Sequence, residues 1–169
     1  MNAEQAIGAY FAGEKSEALL ILVAGGVCLI AAAWLWFWIR EPFARGLAAP
    51  LFLTAALGLG VGGSVYFRTD RQVTQLLELQ RADQVRFAAE EGPRIHAVVR
   101  SFGQYRVGYA IAVILALGFV FLSARPLFHG MAVGLLVLAA LGFTIDFYAE
   151  ARAVQYVHAL DSAGALAQE

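Results

Sequence analysis

The stretch ALLILVAGGVCLIAAAWLWFWI, residues 18–39, contains no charged side chain and decides the class of this protein. A helix rises 1.5 Å per residue, so about 20 apolar residues cross the roughly 30 Å of hydrocarbon in a bilayer. The apolar residues occur all round the predicted helix, which is typical of a helix surrounded by lipid and other helices. The stretch therefore predicts a membrane-spanning helix.

Three further stretches are apolar over a similar length and contain no Lys or Arg: residues 46–67, 107–123 and 127–148. Of the 169 residues in the chain, 60% are hydrophobic and 15% are charged, against roughly 25% charged in soluble domains. A chain of this length cannot bury so much apolar surface in one aqueous core. We therefore predict an all-α integral membrane protein, a bundle of four transmembrane helices.

The distribution of basic residues predicts the orientation of these spans. Four crossings put both termini and the central segment 68–106 on one side of the membrane. That side carries nine Lys and Arg residues, against three on the other side. Because positive charge tends to stay inside, we expect both termini to be cytoplasmic, in an inner (plasma) membrane of bacterial type.

Residues 40–76 resemble residues 124–160 at a constant offset of 84, with 11 identities over 37 positions. The match includes Pro42 with Pro126 and Gly46 with Gly130. It predicts two tandem, parallel two-helix units, residues 1–92 and 93–169, related by an axis along the membrane normal. The alternative is that two short helix connections have similar turns.

Helical patterns continue beyond the spans on the cytoplasmic side. Because residues 66–91 contain no Gly or Pro, we expect span two to continue as a helix over 68–91 and to end at Gly92-Pro93. A helix over 93–106 would complete a cytoplasmic helical hairpin, and a helix over 149–162 would extend span four. These helices pack on each other or on another protein. The N-terminal segment is expected to form a short amphipathic turn at the membrane interface, through Ile7, Tyr10 and Phe11.

Small residues in span two predict a site of close helix packing. The residues concerned are Gly58, Gly60, Gly62, Gly63 and Ser64. Small side chains let helix backbones approach closely, which is how helices associate in lipid. We interpret these residues as packing positions, within one chain or between chains. A permeation path lined by backbone is the alternative.

An acidic pair, Asp146 and Glu150, lies near the inner end of span four. A carboxylate in hydrocarbon costs at least about 2.5 kcal/mol, so it usually faces a bundle interior or a water-filled cavity. The offset of 84 pairs Gly62 with Asp146, and we therefore expect the glycines of span two to face this pair. Alternatively, Asp146 lies in the headgroup layer or pairs with an arginine.

Three further polar residues complete a candidate ion or proton site. Glu14 and Glu17 enter span one at the same depth as the acidic pair, and His158 follows two turns after Glu150. Oxygen and imidazole ligands suit a divalent cation. The sequence has no HExxH, Cys/His or catalytic-triad spacing, so no catalytic residue is assigned.

Three classes of function follow from these features. The first is a non-enzymatic, helix-packed oligomer, either a small channel-like assembly or a membrane binding partner or accessory protein, including one that neutralises a toxin. The second is a small dimeric transporter with an intramembrane acidic site. The third is a membrane enzyme that acts on a lipid-soluble substrate through an acidic or metal cluster.

The expected partners are the lipid bilayer and either further copies of the chain or another membrane or cytoplasmic protein. A net charge of −1 does not suggest binding to nucleic acid. We expect no cofactor other than bound lipid, with a divalent metal as the alternative.

Overall fold

The computed structural model describes residues 2–163, which are entirely helical apart from short connections. The four long helices are α1 (Ala3–Trp34), α2 (Pro42–Ala82), α3 (Gln84–Leu122) and α4 (Pro126–Ser162), and α1 continues as a π-helical turn, Leu35–Ile39. Each of the four is long and apolar enough to cross a membrane. The prediction of an all-α chain with four candidate spans is confirmed.

The helix ends follow local chemistry. Asn2 and Gln5 form a capping box at the start of α1, each side chain accepting a hydrogen bond from the other's backbone N–H. Both α2 and α4 begin at a proline, Pro42 and Pro126, where the missing N–H costs nothing because the first turn has no acceptor for it. Between α1 and α2, Arg40 takes a left-handed conformation with φ 60°.

The boundary between α2 and α3 lies at Asp83, so the prediction that Gly92-Pro93 ends a helix is wrong. Asp83 is extended and its side chain accepts a hydrogen bond from the backbone N–H of Arg86 at 3.0 Å, as an N-cap does. Proline inside a helix costs about 3 kcal/mol. Phe87 and Ile95 on either side are fully buried, and each contributes about 1.5–3 kcal/mol. Tertiary packing therefore holds α3 together across Pro93.

The ends of the helices outside the four predicted spans form one four-helix bundle, which we call the polar half: residues 3–17, 68–82, 84–106 and 149–162. Its buried core comes from three helices and includes Ile7 and Phe11 of α1, Phe102 of α3 and Leu160 of α4. Partly buried side chains of α2, among them Val73 and Leu76, pack against this core. The expected interfacial turn at Ile7, Tyr10 and Phe11 is therefore wrong, because these residues are buried in this core.

The remaining residues form the apolar half, which is packed more sparsely. There α1 contacts α2, α2 contacts α4, and α4 contacts α3. Within residues 107–122 of α3 the buried residues are Ala112 and Ala116, whereas Leu122 is 89% exposed. So large an apolar surface is not stable in water and is suited to lipid.

Candidate functional site at the α3–α4 interface

The helices α2 and α4 cross near their first turns, at the end of the apolar half that is farthest from the polar half. A Cβ atom on Gly46 would lie 1.9 Å from the carbonyl oxygen of Leu127, and one on Gly130 would lie 2.0 Å from that of Phe43. Phe43 and Leu127, like Gly46 and Gly130, are separated by 84 residues. The two helices therefore make the same contact in both directions, and neither glycine leaves room for a side chain.

The glycines of α2 contact α1 within the same chain. A Cβ on Gly58 would lie 3.0 Å from the Cα of Gly25, and one on Gly62 would lie 2.9 Å from the carbonyl oxygen of Ala18. A Cβ on Gly63 would make an ordinary contact with Leu22. These distances show that α1 and α2 touch backbone to backbone along the side of α2 that carries Gly58 and Gly62.

Gly60 and Ser64 lie on a different side of α2. A Cβ on Gly60 would meet no atom within 4 Å among the described residues, and Ser64 is exposed. The small residues predicted for helix packing thus divide into a set that α1 covers and a set that is uncovered in the single chain.

The corresponding contact between α3 and α4 is built differently. Gly142 lies 84 residues after Gly58, and Tyr109 lies 84 residues after Gly25. A Cβ on Gly142 would lie 2.5 Å from the ring of Tyr109, so an aromatic ring takes the place where the first helix pair has glycine against glycine. The Tyr109 hydroxyl donates a hydrogen bond to Oδ2 of Asp146 at 2.5 Å.

Asp146 therefore faces α3, and the expected contact between it and the glycines of α2 is not formed. Glu150, one turn further along α4, pairs with Arg106 of α3. These groups border a cavity of about 320 Å³ between α3 and α4. We call this cavity the α3–α4 groove, and its lining residues are Phe102, Arg106, Phe143, Asp146, Phe147 and Glu150.

Glu14 and Glu17 lie in the polar half and pair with bases rather than with the acidic pair. Glu17 accepts a hydrogen bond from Arg152, and Glu14 lies 3.7 Å from Arg68. One oxygen of Glu14, Oε2, is buried and receives no hydrogen bond from residues 2–163. Burial raises the pKa of both carboxyl groups above the ordinary value of 4.5.

A buried ionic cluster in the polar half was missed by the sequence analysis. Glu91 is 1% exposed, accepts two hydrogen bonds of 2.6 Å from Arg94, and accepts a third from the Tyr156 hydroxyl at 3.0 Å. The spacing of Glu91 and Arg94, three residues apart on a helix, is the one sequence signal that favours such a pair. The hydrogen bonds satisfy a charge that would otherwise be costly to bury.

His158 is exposed and lies outside the groove. Within residues 2–163 no three His, Cys, Asp or Glu side chains are close enough together to hold a metal ion. Of the five predicted site residues, Asp146 and Glu150 thus line the groove, Glu14 and Glu17 pair with arginines away from it, and His158 is in neither place. No family model, curated protein or solved structure matches the chain.

Proposed function

We propose that this protein is a non-enzymatic, multi-pass protein of a bacterial-type inner membrane that assembles with further copies of itself through one face of α2. We call this the assembly face and define it by Ala56, Gly60 and Ser64. The assembly acts either as a small channel or as an accessory to another membrane protein. Nothing in this function requires a cofactor other than lipid.

The proposal includes two tandem, parallel helix pairs. It is supported by the crossing of α2 and α4, where Gly46 meets Leu127 and Gly130 meets Phe43. Adding 84 to the residue numbers of α2 in this crossing gives the residue numbers of α4. The same offset relates the Gly25–Gly58 contact to the Tyr109–Gly142 contact. A two-fold axis along the membrane normal, relating one helix pair to the other, would produce both the symmetric crossing and the matching contacts within the pairs.

The proposed orientation places the polar half in the cytoplasm. The start of α1 and the end of α4 both contribute to its core, through Ala3 and Leu160, so these two helix ends lie on one side of the apolar half. Nine of the twelve basic residues belong to that side. Positive charge near spans favours the cytoplasmic side.

The observation that carries the proposal is the difference between Gly60 and its neighbours on α2. Gly58 and Gly62 admit a second backbone at contact distance, and α1 occupies that space. Gly60 offers the same close approach on another face, and no described residue occupies it. Because lipid supplies little hydrophobic force between helices, a small-residue face of this kind favours contact with another helix.

Disulfide cross-linking in the membrane tests this contact. In a Cys28→Ala background, Ser64→Cys places a thiol on the assembly face. Gly108→Cys places one on α3, at a position where a Cβ would meet no described atom within 4 Å. Oxidation is expected to link copies through position 64 and to leave position 108 unlinked. Equal cross-linking at the two positions, or none at position 64, would contradict the proposal.

A dimeric transporter is the second candidate, favoured by one observation. Asp146 lies within the candidate span of α4, and a neutral phenol, that of Tyr109, is its hydrogen-bond partner. Carboxylates at such depth commonly belong to ion or proton pathways. Proton-coupled or cation-coupled uptake into vesicles that is lost in Asp146→Asn would favour transport over a purely structural assembly.

A further inference from the structure

The α3–α4 groove distinguishes the second helix pair from the first. In the first pair the backbones of α1 and α2 touch at Gly25, Gly58 and Gly62. At the equivalent positions the second pair has Tyr109, Gly142 and Asp146. A ring and a carboxylate thus replace two glycines, and a cavity of about 320 Å³ lies beside them.

The walls of the groove are aromatic and open to the surroundings. Phe143 is 50% exposed and Phe147 is 58% exposed, and Phe102 closes the groove from α3. Such walls bind apolar groups, and the faces of aromatic rings also attract organic cations.

The charges in the groove do not cancel. Arg106 is paired with Glu150, whereas the hydrogen-bond partner of Asp146 is a phenol without charge. Oδ1 of Asp146 accepts no hydrogen bond from the described residues, so one carboxylate oxygen remains available to a ligand. The groove therefore has a formal excess of one negative charge within apolar walls.

We propose that the α3–α4 groove binds a hydrophobic organic monocation, an ammonium or phosphonium group with apolar substituents. The cation lies at Asp146 and its substituents lie against the three phenylalanines. A volume of about 320 Å³ falls at the lower end of the range for small-molecule sites, about 300–1,000 Å³. The inference does not depend on assembly through α2, because all the residues concerned belong to one chain.

Binding of tetraphenylphosphonium to the full chain in a non-ionic detergent tests the proposal. We expect saturable binding with one site per chain, and a roughly tenfold or greater loss of affinity in Asp146→Asn, since tenfold corresponds to about 1.4 kcal/mol. Asp70→Asn is the matched control, because it removes a carboxylate whose partner is Lys15, outside the groove. This variant is expected to bind as the native chain does.

A second variant keeps the test decisive if Asp146→Asn fails to fold. Glu150→Gln leaves Arg106 without its partner, and the freed positive charge should weaken binding of the cation several-fold while the groove keeps its shape. Competition by an amine lipid would identify a lipid headgroup as the natural source of the same cationic chemistry. Absence of saturable binding, or equal affinity in the native, Asp146→Asn and Glu150→Gln proteins, would overturn the proposal.

Discussion

Gly46 and Gly130 lie at one crossing of α2 and α4, each against a backbone carbonyl of the opposite helix. The would-be Cβ distances, 1.9 Å and 2.0 Å, are nearly the same in the two directions. At such distances a methyl group has to push the helices apart, since backbone atoms cannot rotate away as a side chain can. The crossing is therefore the point at which the two helix pairs are joined most tightly.

Alanine at either glycine is expected to destabilise the protein to a similar extent. Overpacking typically costs about 1–3 kcal/mol, and a backbone contact gives the upper part of that range. Thermal unfolding of Gly46→Ala and Gly130→Ala in detergent measures the effect. Gly118→Ala is the control, because no described residue lies within 4 Å of its Cβ position. Full tolerance of one substitution but not the other would contradict an equivalent contact.

The buried ion pair in the polar half predicts that alanine substitutions of two adjacent glutamates differ greatly in their effect on stability. Glu91→Ala removes the partner of Arg94 and of the Tyr156 hydroxyl. We expect a loss of about 3 kcal/mol, the lower end for buried pairs, because the Arg94 side chain is 29% exposed. Glu90→Ala breaks an exposed pair with Arg86, and we expect little or no change in stability because solvent screens this pair. Denaturant unfolding that shows equal losses would contradict burial of Glu91 as an ion.

Two substitutions of Tyr109 measure separately what its hydroxyl and its ring contribute to stability. Tyr109→Phe keeps the contact with Gly142 and removes the hydrogen bond to Asp146, which we expect to cost about 1.5–3 kcal/mol, as for hydrogen bonds to charged groups. Tyr109→Ala also leaves a void and should cost about 3–5 kcal/mol. The measurement is thermal unfolding of the two variants in the same detergent. If Tyr109→Phe were as damaging as Tyr109→Ala, the ring contact would contribute nothing.

The buried carboxyl group of Glu14 predicts a pH dependence with a definite sign. Burial raises the pKa of Glu14 above 4.5 and outweighs the nearby arginines, which lower it. The folded state therefore binds the proton more tightly than the unfolded state does. As pH falls through the raised pKa towards 4.5, the free energy of unfolding should increase through this group.

Glu14→Gln removes this contribution and is expected to raise the melting temperature at pH 7 and to flatten its dependence on pH. Glu4→Gln is the control of opposite sign, because the hydrogen bond from Arg81 lowers the pKa of Glu4. Its ionised form therefore stabilises the folded state, and the substitution should slightly lower the melting temperature at pH 7. A lower melting temperature of Glu14→Gln at pH 7 would show that the ionised form of Glu14 is stabilising.

The four long helices followed from the sequence because apolar length is a local property that lipid requires along each span. The α2–α3 boundary did not, because Pro93 is a strong local signal that the burial of Phe87 and Ile95 overrides. Asp83 is the one Ser, Thr, Asn or Asp between residues 75 and 92, so a search for helix caps would have found it.

The candidate site was predictable in its residues but not in its contacts. The depth of Asp146 indicated a buried polar group, yet the choice between α1, α2 and α3 as its neighbour depends on the order of the helices. The spacing of Gly58, Gly60 and Gly62 does not indicate which of the two faces meets α1. These relations are properties of packing between distant segments, and no local pattern determines them.

The oligomeric state in lipid tests the assembly through α2 most directly. Single-molecule photobleaching of the labelled chain, at increasing dilution in liposomes, counts the copies in each complex. We expect complexes of two or more copies for the native chain and for Gly118→Leu, and single copies for Gly60→Leu, because a leucine at position 60 blocks close approach of a second backbone. A native chain that is monomeric at every dilution, or a Gly60→Leu variant that assembles as the native chain does, would contradict the account.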